Sequence, residues 1–548
     1  MKKLILTFAL LLCMSNFALS QGWDSTTLND NNITSNLTLN ASTKYIMKGF
    51  VYVKSPATLT IPAGTVIYGD KATTGTLIIE RGAKISATGT ANNPIIFTSR
   101  LAPGQRGPGD WGGIILLGKA RINTISGADT AAIEGLPAGV QPAYFGGNDD
   151  NDNSGVIKYV RIEFPGINLT GVSGNEINGL TMGGIGKNTT LEYIQVSYCG
   201  DDSYEWFGGN VNAKYLISYK GVDDGFDSDN GYRGMLQFIL DAKDSNIADV
   251  SGTNGFESDN NKNSPVNYQT PRTHPIISNA TMMGPFQTLT STAHPNHKRG
   301  CHIRRNSLLC LYNSIMMGFK VGTRFDGTGV ANACNGDTVQ FNNNIYAGNV
   351  TLADTNNMAG NGFDGITFLQ TTAIGNRFLT NNTELNLTNP YGYENNGSWV
   401  PLGTSPALTG GTFTYPNLGD PFFTPTTYVG AFGSTDWAAD WAEFDPVNYT
   451  IGIKKISSEV PADYNLSQNY PNPFNPTTKI NFSVSQRGIV SLKVYDVTGK
   501  EVANLVNDEL SIGTYEYEFS ASDLSSGIYF YTFSADSYRE TKKMMLIK

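Results

Sequence analysis

The chain has few charged residues, few segments with apolar residues at helical spacing, and no long hydrophobic run beyond its first residues. Only 16% of its 548 residues are charged, whereas 60 are glycine. Weak helical periodicity, together with many Asn, Thr and Ser residues, indicates short strands joined by many turns. The chain has more residues than one compact hydrophobic core usually organises, so we expect several domains or one elongated repeat array. The composition favours the array.

Basic residues are outnumbered, because 38 Lys and Arg stand against 47 Asp and Glu, for a net charge of −9. An acidic chain without a basic stripe is unsuited to nucleic acid or to anionic membrane surfaces. The longest strongly apolar stretch after the N-terminus, residues 114–117, has the length of a strand, so we expect no membrane span. Nucleophile-elbow, zinc-protease and phosphate-loop motifs are also missing.

Cysteine is scarce as well. Beyond the N-terminal region there are Cys199, Cys301, Cys310 and Cys334. In an oxidising exterior these four permit two disulfides in three connectivities, and buried free thiols are the equal alternative. Their spacing contains no paired CxxC, so zinc is not expected.

The first residues have the layout of a signal peptide. Lys2 and Lys3 precede an apolar run at 4–12, and the small-x-small pattern ALS ends at Ser20, before Gln21. The run is shorter than the roughly 20 apolar residues that a membrane anchor needs. We therefore predict that residues 1–20 are a signal peptide, cleaved between Ser20 and Gln21.

The C-terminal region carries several ordered motifs. From residue 470 it reads YPNPFNPTTKINFSV, followed by VYDVTGKEV, LSSGIYFY and the Lys-rich end KKMMLIK. Alternating segments punctuated by Gly and Asn turns predict a small antiparallel, Ig-like β-sandwich. The prolines of the first motif make an extended entry that cannot join a central strand.

These motifs resemble the type A C-terminal sorting domain of the type IX secretion system. The resemblance implies export across both membranes to the cell surface or the extracellular space, with the secretion machinery and its C-terminal signal peptidase as partners. It assigns the sorting motif to Tyr470, Pro471, Asn472, Pro473, Phe474, Gly527 and Tyr529.

Internal repeats characterise the middle of the chain. LTIPAGTVI from residue 59 matches LIIERGAKI after 18 residues, and KYVRIEFPG matches EYIQVSYCG after 34. SNATMMG, YNSIMMG and NNNIYAG place Asn279, Asn313 and Asn343 at one equivalent position on successive coils. Stacked coils bury a continuous interior that no single strand can bury alone. Equivalent asparagines can then form a hydrogen-bonded column.

From its strand phrases, this region resembles the right-handed parallel β-helix of pectin-lyase-like proteins. The predicted fold is therefore all-β, with a solenoid at 21–455, a linker at 456–467 and the sorting domain at 468–548. Trp437 and Trp441, four residues apart near the end of the solenoid, are expected to cap the open coil stack, or alternatively to stack on sugars.

A threefold acidic repeat is the main candidate site. DSYE from residue 202, DGFD from 224 and NGFE from 254 align at offsets of 22 and 30. In alternating strands the aromatic residues point inward, and Glu205, Asp227 and Glu257 point outward, one above another about 4.8 Å apart. Charges so close need a cation or a raised pKa, and oxygen ligands favour Ca²⁺. The alternative is a solvated acidic surface of turn residues. The expected ligands are Asp202, Asp224, Asp227, Asp229, Glu257 and Asp259, with Asp223 beside them.

A second calcium loop is expected at GNDDNDNSG, residues 147–155. Asp150, Asp152 and Ser154 match the first half of an EF-hand-like loop, but Arg161 stands where the closing Glu belongs. The alternative is an ordinary polar loop.

The segment AHPNHKRGCHIRRN, from residue 293, is a basic cluster in an acidic chain. Beside the acidic repeat it would resemble polysaccharide lyases, in which Ca²⁺ neutralises a uronate and Lys or Arg abstracts the proton. Two stacked carboxylates could instead serve glycoside hydrolysis. We favour a non-enzymatic protein that binds carbohydrate or a cell surface. Catalysis by Glu205, Asp227 and Glu257 is the first alternative, and a passive surface-layer component is the second.

Overall fold

The computed structural model describes most of the chain. The described residues are 25–29, 32–41, 43–136, 143–168, 176–261, 268–358, 360–393, 397–448, 453–457, 460–510, 512–521 and 524–548. The expected signal peptide and its cleavage site at Ser20 and Gln21 lie outside them. No helix in these ranges is long and apolar enough to cross a membrane.

Long parallel sheets wind into a right-handed β-helix. One sheet, called face 1, has 11 strands among the described residues. The face 1 strands are Asn32–Ile33, Phe50–Val53, Thr76–Ile79, Gly113–Leu117, Leu180–Gly183, Tyr204–Phe207, Phe226–Asp229, Thr253–Ser258, His297–Ile303, Val321–Asp326 and Thr351–Asn356.

The second sheet has 17 described strands and bends within each coil. The half that precedes the bend in each coil is called face 2, and the half that follows it is called face 3. Its strands are Ser25–Leu28, Leu37–Thr38, Lys44–Met47, Thr58–Ile61, Val66–Gly69, Lys84–Thr88, Ile95–Ser99, Gly155–Glu163, Thr190–Ser197, Ala213–Tyr219, Met235–Ala242, Ile276–Met283, Cys310–Tyr312, Ile315–Met317, Phe341–Asn342, Ile345–Ala347 and Arg377–Leu379.

The bend between faces 2 and 3 lies at a residue with left-handed backbone. In the middle coils this residue is aromatic, and in the later coils it is asparagine, which tolerates that conformation better. The aromatic rings stack at 4.3 Å between Tyr159 and Tyr193 and at 4.2 Å between Tyr193 and Tyr215. Asn279, Asn313 and Asn343 take this position with φ between 49° and 58°.

The strand register agrees with most of the repeat offsets. Tyr204 pairs with Phe226, and Phe226 pairs with Phe256, as the offsets of 22 and 30 require. The offset of 18 is a different case. Leu59 pairs with Ile85, so one coil spans 26 residues there. The 18-residue match therefore relates strands on different faces, because similar apolar alternation recurs on every face.

A hydrogen-bonded ladder runs through the later coils one residue after the bend. The backbone N–H of Ser314 donates to Asn344 Oδ1 at 2.9 Å, and that of Asn344 donates to Asn376 Oδ1 at 2.8 Å. The expected column at the bend differs from this, because Asn313 and Asn343 use their amides on a later segment, at Thr412 O and Gly410 O.

That later segment, residues 397–448, is called the strap. It runs back along face 3, from Arg377, which donates to Thr409 O, to Gln195, whose amide exchanges two hydrogen bonds with the backbone of Glu443. Buried apolar side chains of face 3, including Leu240 and Met283, pack against it. The strap thus covers the outer side of face 3 with a second apolar layer, from the coil of Arg377 to that of Gln195.

The expected end cap at Trp437 and Trp441 is wrong. Trp441 packs edge-on against Tyr193 at 6.0 Å, and Trp437 stacks on Phe432 at 4.8 Å, both on the lateral strap. The end of the core is covered instead by the helix Gly365–Leu369, whose Leu369 is buried in it. The two tryptophans pack on the aromatic residues of the left-handed bend and shield those rings from solvent.

Shorter elements complete the solenoid. The α-helices are Thr328–Asn335 and Gly365–Leu369, and the 3₁₀ turns are Lys71–Thr73, Thr372–Ile374, Asn382–Leu385, Pro406–Leu408 and Pro416–Leu418. Antiparallel strand pairs are Thr130–Ala132 with Tyr144–Gly146, Ile167–Asn168 with Glu176–Ile177, and Leu387–Asn389 with Ser398–Pro401. Cys199, Cys301, Cys310 and Cys334 are buried free thiols, so the disulfide alternative is wrong.

The C-terminal domain is an antiparallel sandwich of two four-stranded sheets with its own apolar core. Its strands are Ile453–Ser457, Asn465–Leu466, Thr477–Val484, Gly488–Tyr495, Glu501–Leu510, Gly513–Ser520, Gly527–Ala535 and Tyr538–Leu546. The first two belong to the region that we assigned to the end of the solenoid and the linker. Their pairing with Gly513–Ser520 and Thr477–Val484 makes them part of the sandwich.

Candidate functional site

The acidic repeat forms an outward-facing column on face 1. Glu205 pairs with Asp227, and Asp227 pairs with Glu257. The column continues through His302 to Arg324. On the inner side, Tyr204 and Phe226 stack with ring centroids 5.0 Å apart, as the alternation predicted. These are the pairings that bring the candidate carboxylates together.

Five carboxylates lie close together on two successive coils of face 1, those of residues 201–205 and 223–227. In one group, oxygens of Asp202, Glu205 and Asp227 lie within 4.8 Å of one another, and in the other those of Asp201, Asp202 and Asp223 do so. Asp202 is shared by both groups, so the two form one cluster, called the acid cluster. Within the described part of the chain, no Lys, Arg or His forms an ion pair with its members.

The acid cluster is not a solvated acidic surface, because Asp202 is 9% exposed and Glu205 is 6% exposed. Burial, and then Asp201 and Asp224, raise the pKa of Asp202 well above its usual range. Burial and Asp227 do the same to the pKa of Glu205. Each negative charge disfavours the next, so the cluster favours protons or a cation.

Polar neighbours leave part of the acid cluster unsatisfied. Asn178 donates its amide to Glu205 Oε2, while Asn178 Oδ1 and Asp227 Oδ1 are buried without a hydrogen-bond partner. Asp202 Oδ1 accepts from the backbone N–H of Asp224 at 2.8 Å. Such unpaired buried oxygens are costly unless a ligand satisfies them.

On the next coil of face 1, the expected ligands Glu257 and Asp259 are paired with basic side chains instead. Arg304 forms an ion pair with Glu257, and its Nε lies 2.7 Å from Asp259. Arg305 Nη1 also lies 2.7 Å from Asp259, and His302 Nδ1 lies 3.3 Å from Glu257. The basic cluster of the sequence therefore does meet the acidic repeat, but it neutralises these two acids.

Two further expected ligands are held by backbone groups. Asp224 Oδ1 accepts the N–H of Asn254, and Asp229 Oδ1 accepts that of Asn230. Burial and Glu257 raise the pKa of Asp224 to about 7. Neither carboxylate belongs to the groups whose oxygens converge within 4.8 Å.

In the second expected calcium loop, residues 147–155, Asp150 forms ion pairs with two arginines. Both oxygens of Asp150 are taken by guanidinium groups, Oδ2 by Arg121 and Oδ1 by Arg233 at 2.5 Å. Asp152 is buried, and its Oδ2 lies 3.3 Å from Ser154 Oγ. Asp150 thus ties two loops together by ion pairs, so its own carboxylate is not available to a cation.

The basic segment predicted from the sequence also places Arg299 on the next coil of face 1. Asp224, Asn254 and Arg299 lie on three successive coils of face 1, in a column next to that of Asp227. Arg299 pairs with Asn254, whose backbone N–H donates to Asp224. Its Nε is buried without a hydrogen-bond partner, and burial and then Arg324 lower its pKa. The sequence predicted the basic segment, but only the stacking of coils places Arg299 above the acidic coils.

A pocket of about 580 Å³ opens beside the acid cluster. One wall is the inserted hairpin Thr130–Ala132 with Tyr144–Gly146, and the other includes Phe207 and Asn230. Phe207 follows Glu205 by two residues, so both side chains lie on the outer side of one strand.

Comparison with known families matches this architecture twice. The model of the pectate-lyase like beta helix domain matches residues 31–396, which is more than half of the chain. The chain belongs to the pectate-lyase-like β-helix family. A second model, the secretion system C-terminal sorting domain, matches residues 468–548. No curated protein and no solved structure matches the chain.

The β-helix protein therefore carries a type IX sorting domain, which directs it to the cell surface or the extracellular space and implies contact with the secretion machinery. In the sandwich, Asn472 of the sorting motif accepts the N–H of Met545 at 2.9 Å, and Phe474 donates its own N–H to Met545 O. The first motif thus binds the last strand, whereas Tyr470 is 79% exposed. Tyr529 is mostly buried and donates to Ser525 O.

Proposed function

We propose that this exported β-helix protein is a non-enzymatic binding protein for acidic polysaccharide, with Ca²⁺ held by the acid cluster on face 1. The observation that carries the proposal is the convergence of oxygens from Asp202, Glu205 and Asp227 within 4.8 Å, in a buried place. The wider ligand set adds Asp201 and Asp223.

The donor set fits Ca²⁺. All candidate ligands are oxygens, and Ca²⁺ takes six to eight oxygens in flexible geometry. The unpartnered Oδ1 of Asp227 supports this fit. A divalent cation would offset the mutual repulsion that otherwise raises the pKa of each acid.

With Ca²⁺ bound, two positive charges would lie on face 1. We therefore expect the ligand to be acidic. A bound Ca²⁺ supplies one, and Arg299 supplies the other, two coil steps from Asp224, or roughly 9.6 Å. An acidic polysaccharide can place carboxylates at both points, since its charges recur along the chain. Bidentate pairing with carboxylate suits the guanidinium of Arg299.

The test measures metal content of the purified mature protein and its binding to uronate polysaccharides, with Ca²⁺ and with EDTA. We expect bound Ca²⁺, and polysaccharide binding that EDTA abolishes. Asp227→Asn should weaken both at least tenfold. The matched control is Asp129→Asn, at an exposed aspartate outside the acid cluster. Equal binding in EDTA, or equal loss in both variants, would refute the proposal.

A polysaccharide lyase is the second candidate, favoured by the lowered pKa of Arg299 above acidic coils. A guanidinium of this kind could take the proton next to a uronate carboxyl group whose charge a cation neutralises. Incubation with uronate polymers, followed by ultraviolet absorbance of unsaturated products and a reducing-end assay, separates the candidates. Product that disappears in Arg299→Gln would replace binding by catalysis, and reducing ends without unsaturation would indicate glycoside hydrolysis.

A further inference from the structure

A lysine and an aspartate form an ion pair inside the solenoid. Asp241 lies in register between Ser218 and Met282, on the side of the strand that faces the apolar core, and Met282 belongs to that core. Lys243 follows two residues later, at the corner that leads to face 1. Both side chains are 0% exposed, and Lys243 Nζ lies 3.5 Å from Asp241 Oδ1. The two charged groups are therefore held together away from solvent.

The carboxyl group of Asp241 is poorly satisfied as an ordinary ion. Both of its oxygens are buried, and neither accepts a well-formed hydrogen bond from a described residue. Burial raises the pKa of Asp241 to about 6, although Lys243 opposes this shift. A buried ion pair repays the cost of leaving water only with close contact and further hydrogen bonds. At 3.5 Å and without them, the pair is costly in its charged form.

The surrounding backbone holds the amine against the carboxyl group. A side chain at Gly225 would place its Cβ 2.7 Å from Asp241 Cγ, so this glycine leaves room for the carboxyl group. Lys243 Nζ donates to Asp223 O at 2.6 Å. A neutral amine keeps its lone pair while it donates that hydrogen bond, and the lone pair is then free to attack the carboxyl carbon. Reactants fixed in this way have a large effective concentration.

We propose that Lys243 and Asp241 are joined by an intramolecular amide bond. A proton first passes from the ammonium group to the carboxylate, which leaves an amine and a carboxylic acid. Nζ then attacks Cγ, the N–C bond forms, and the C–O bond to the hydroxyl group breaks. The hydroxyl group leaves as water with a proton from the amine, so no oxidant or second reactant is required. The product carries no charge, which removes the cost of burying the ion pair.

Asp224 is placed to carry the proton. It lies between Asp223, which binds the amine, and Gly225, which lies against the carboxyl group. Burial and Glu257 raise the pKa of Asp224 to about 7, so near neutral pH it can both take up and release a proton. Lys243 opposes that shift through its charge. Once the amide has formed, this charge is gone, and the carboxylates around Asp224 depend more strongly on a cation.

The test is peptide mapping of the purified mature protein by mass spectrometry. Digestion with trypsin should give residues 234–262 as one peptide, lighter than its sequence by about 18 Da, the mass of one water. Tandem spectra should contain no fragment that separates residues 241 and 243, since the amide closes a ring there. The partly exposed pair of Lys220 and Asp244, 3.1 Å apart, is the internal control, and trypsin should cut normally after Lys220. Unfolding for digestion removes bound ions, so the result is independent of the calcium proposal.

Three variants identify the reacting groups. Asp241→Asn reaches the same amide with loss of ammonia, so its peptide should have the same mass as the wild-type peptide. Lys243→Met should show the full mass of its sequence, and Asp224→Asn should leave part of the protein unlinked.

A wild-type peptide of full mass overturns the proposal, whether or not the variants fold. A loss of about 18 Da that persists in Lys243→Met also overturns it, because that loss would come from cyclisation of Asp241 onto its own backbone. Complete linkage in Asp224→Asn would exclude this residue from the proton transfer.

Discussion

Glu257 lies in register with Asp227 on neighbouring strands of face 1, yet the two carboxylates have opposite surroundings. Against the effect of burial, Arg304 and His302 lower the pKa of Glu257. Burial and the charges of Glu257 and Asp259 instead raise the pKa of Asp227 well above its usual range. One coil step therefore separates an acid that basic side chains neutralise from one whose charge is disfavoured unless it takes up a proton or a cation.

Asp227→Asn tests the unneutralised acid. Without Ca²⁺, removing one of several repelling charges should raise the free energy of unfolding by about 1 kcal/mol. With Ca²⁺ the variant should lose the stabilisation that the ion gives the wild type. Chemical unfolding in EDTA and in millimolar Ca²⁺ measures both effects. A variant less stable than wild type in EDTA would contradict the repulsion.

Glu257→Gln tests the neutralised acid, and the expected sign is reversed. It leaves Arg304 without one of its two carboxylate partners, so the free energy of unfolding should fall by about 1–3 kcal/mol, with or without Ca²⁺. Chemical unfolding in EDTA and in millimolar Ca²⁺ measures this loss of stability. Equal behaviour of the Glu257→Gln and Asp227→Asn variants would show that Arg304 does not distinguish the two coils.

His302 should make stability depend on pH. It lies between Glu257, at 3.3 Å, and Asp326, at 3.4 Å, and although burial opposes it, hydrogen bonds to these acids raise its pKa. A raised pKa contributes stability that is fully present below the unfolded value, about 6.5, and is lost as pH rises through the folded value. His302→Gln should therefore flatten the decline in unfolding free energy above pH 6.5.

His297 is the matched control, because its shift has the opposite sign. Burial, and then Lys243, lower the pKa of His297 to about 4. The unfolded chain then binds more protons between pH 4 and 6.5, so stability rises with pH across that window. His297→Gln should flatten that rise and leave the region above pH 6.5 unchanged. Identical profiles for the two variants would exclude both assignments.

Asn344→Ala tests the ladder in the later coils. The side chain is buried, accepts from Ser314 N and donates to Leu311 O at 3.0 Å. Leaving those backbone groups unpaired should cost about 2 kcal/mol in unfolding free energy. Asn343→Gly is the control, since glycine suits φ of 58° there, and should change it by less than about 1 kcal/mol. A larger loss at residue 343 would place the main ladder at the bend.

Trp441→Ala tests the strap. The indole is 1% exposed and packs on Tyr159 and Tyr193, so its truncation should cost about 3–5 kcal/mol. The unfolding midpoint measures the loss, and proteolysis should cut the strap first. Phe378→Ala, at a 40% exposed ring near the end of the stack, should cost much less. Intact strap protection in the Trp441→Ala variant would show that other contacts hold it.

Local repeats predicted a large part of this fold. The acid repeat, the inward aromatics and the equivalent asparagines followed from offsets of 22, 30 and 34, because each offset is one turn of chain around the solenoid. The 18-residue match failed for a related reason. Strands on different faces share one apolar alternation, so similarity alone does not tell a coil from a face.

Within the candidate site, the sequence predicted which acids align but not which of them are neutralised. Glu257 and Asp259 differ from Asp202 and Asp227 through His302 and two arginines, which lie about 45 residues further along the chain. Asp201 was not expected among the ligands, since it joins the acid cluster through the turn before its strand rather than through the repeat.

The sequence by itself determined the two-part architecture, the outward acids and the export signal, since strand alternation and sorting motifs are local patterns. Only the tertiary structure decided that the strap covers face 3, that Trp441 packs on its side, and that Arg304 neutralises Glu257. Those contacts join residues far apart in sequence, and their partners depend on loop lengths that bring particular coils into reach.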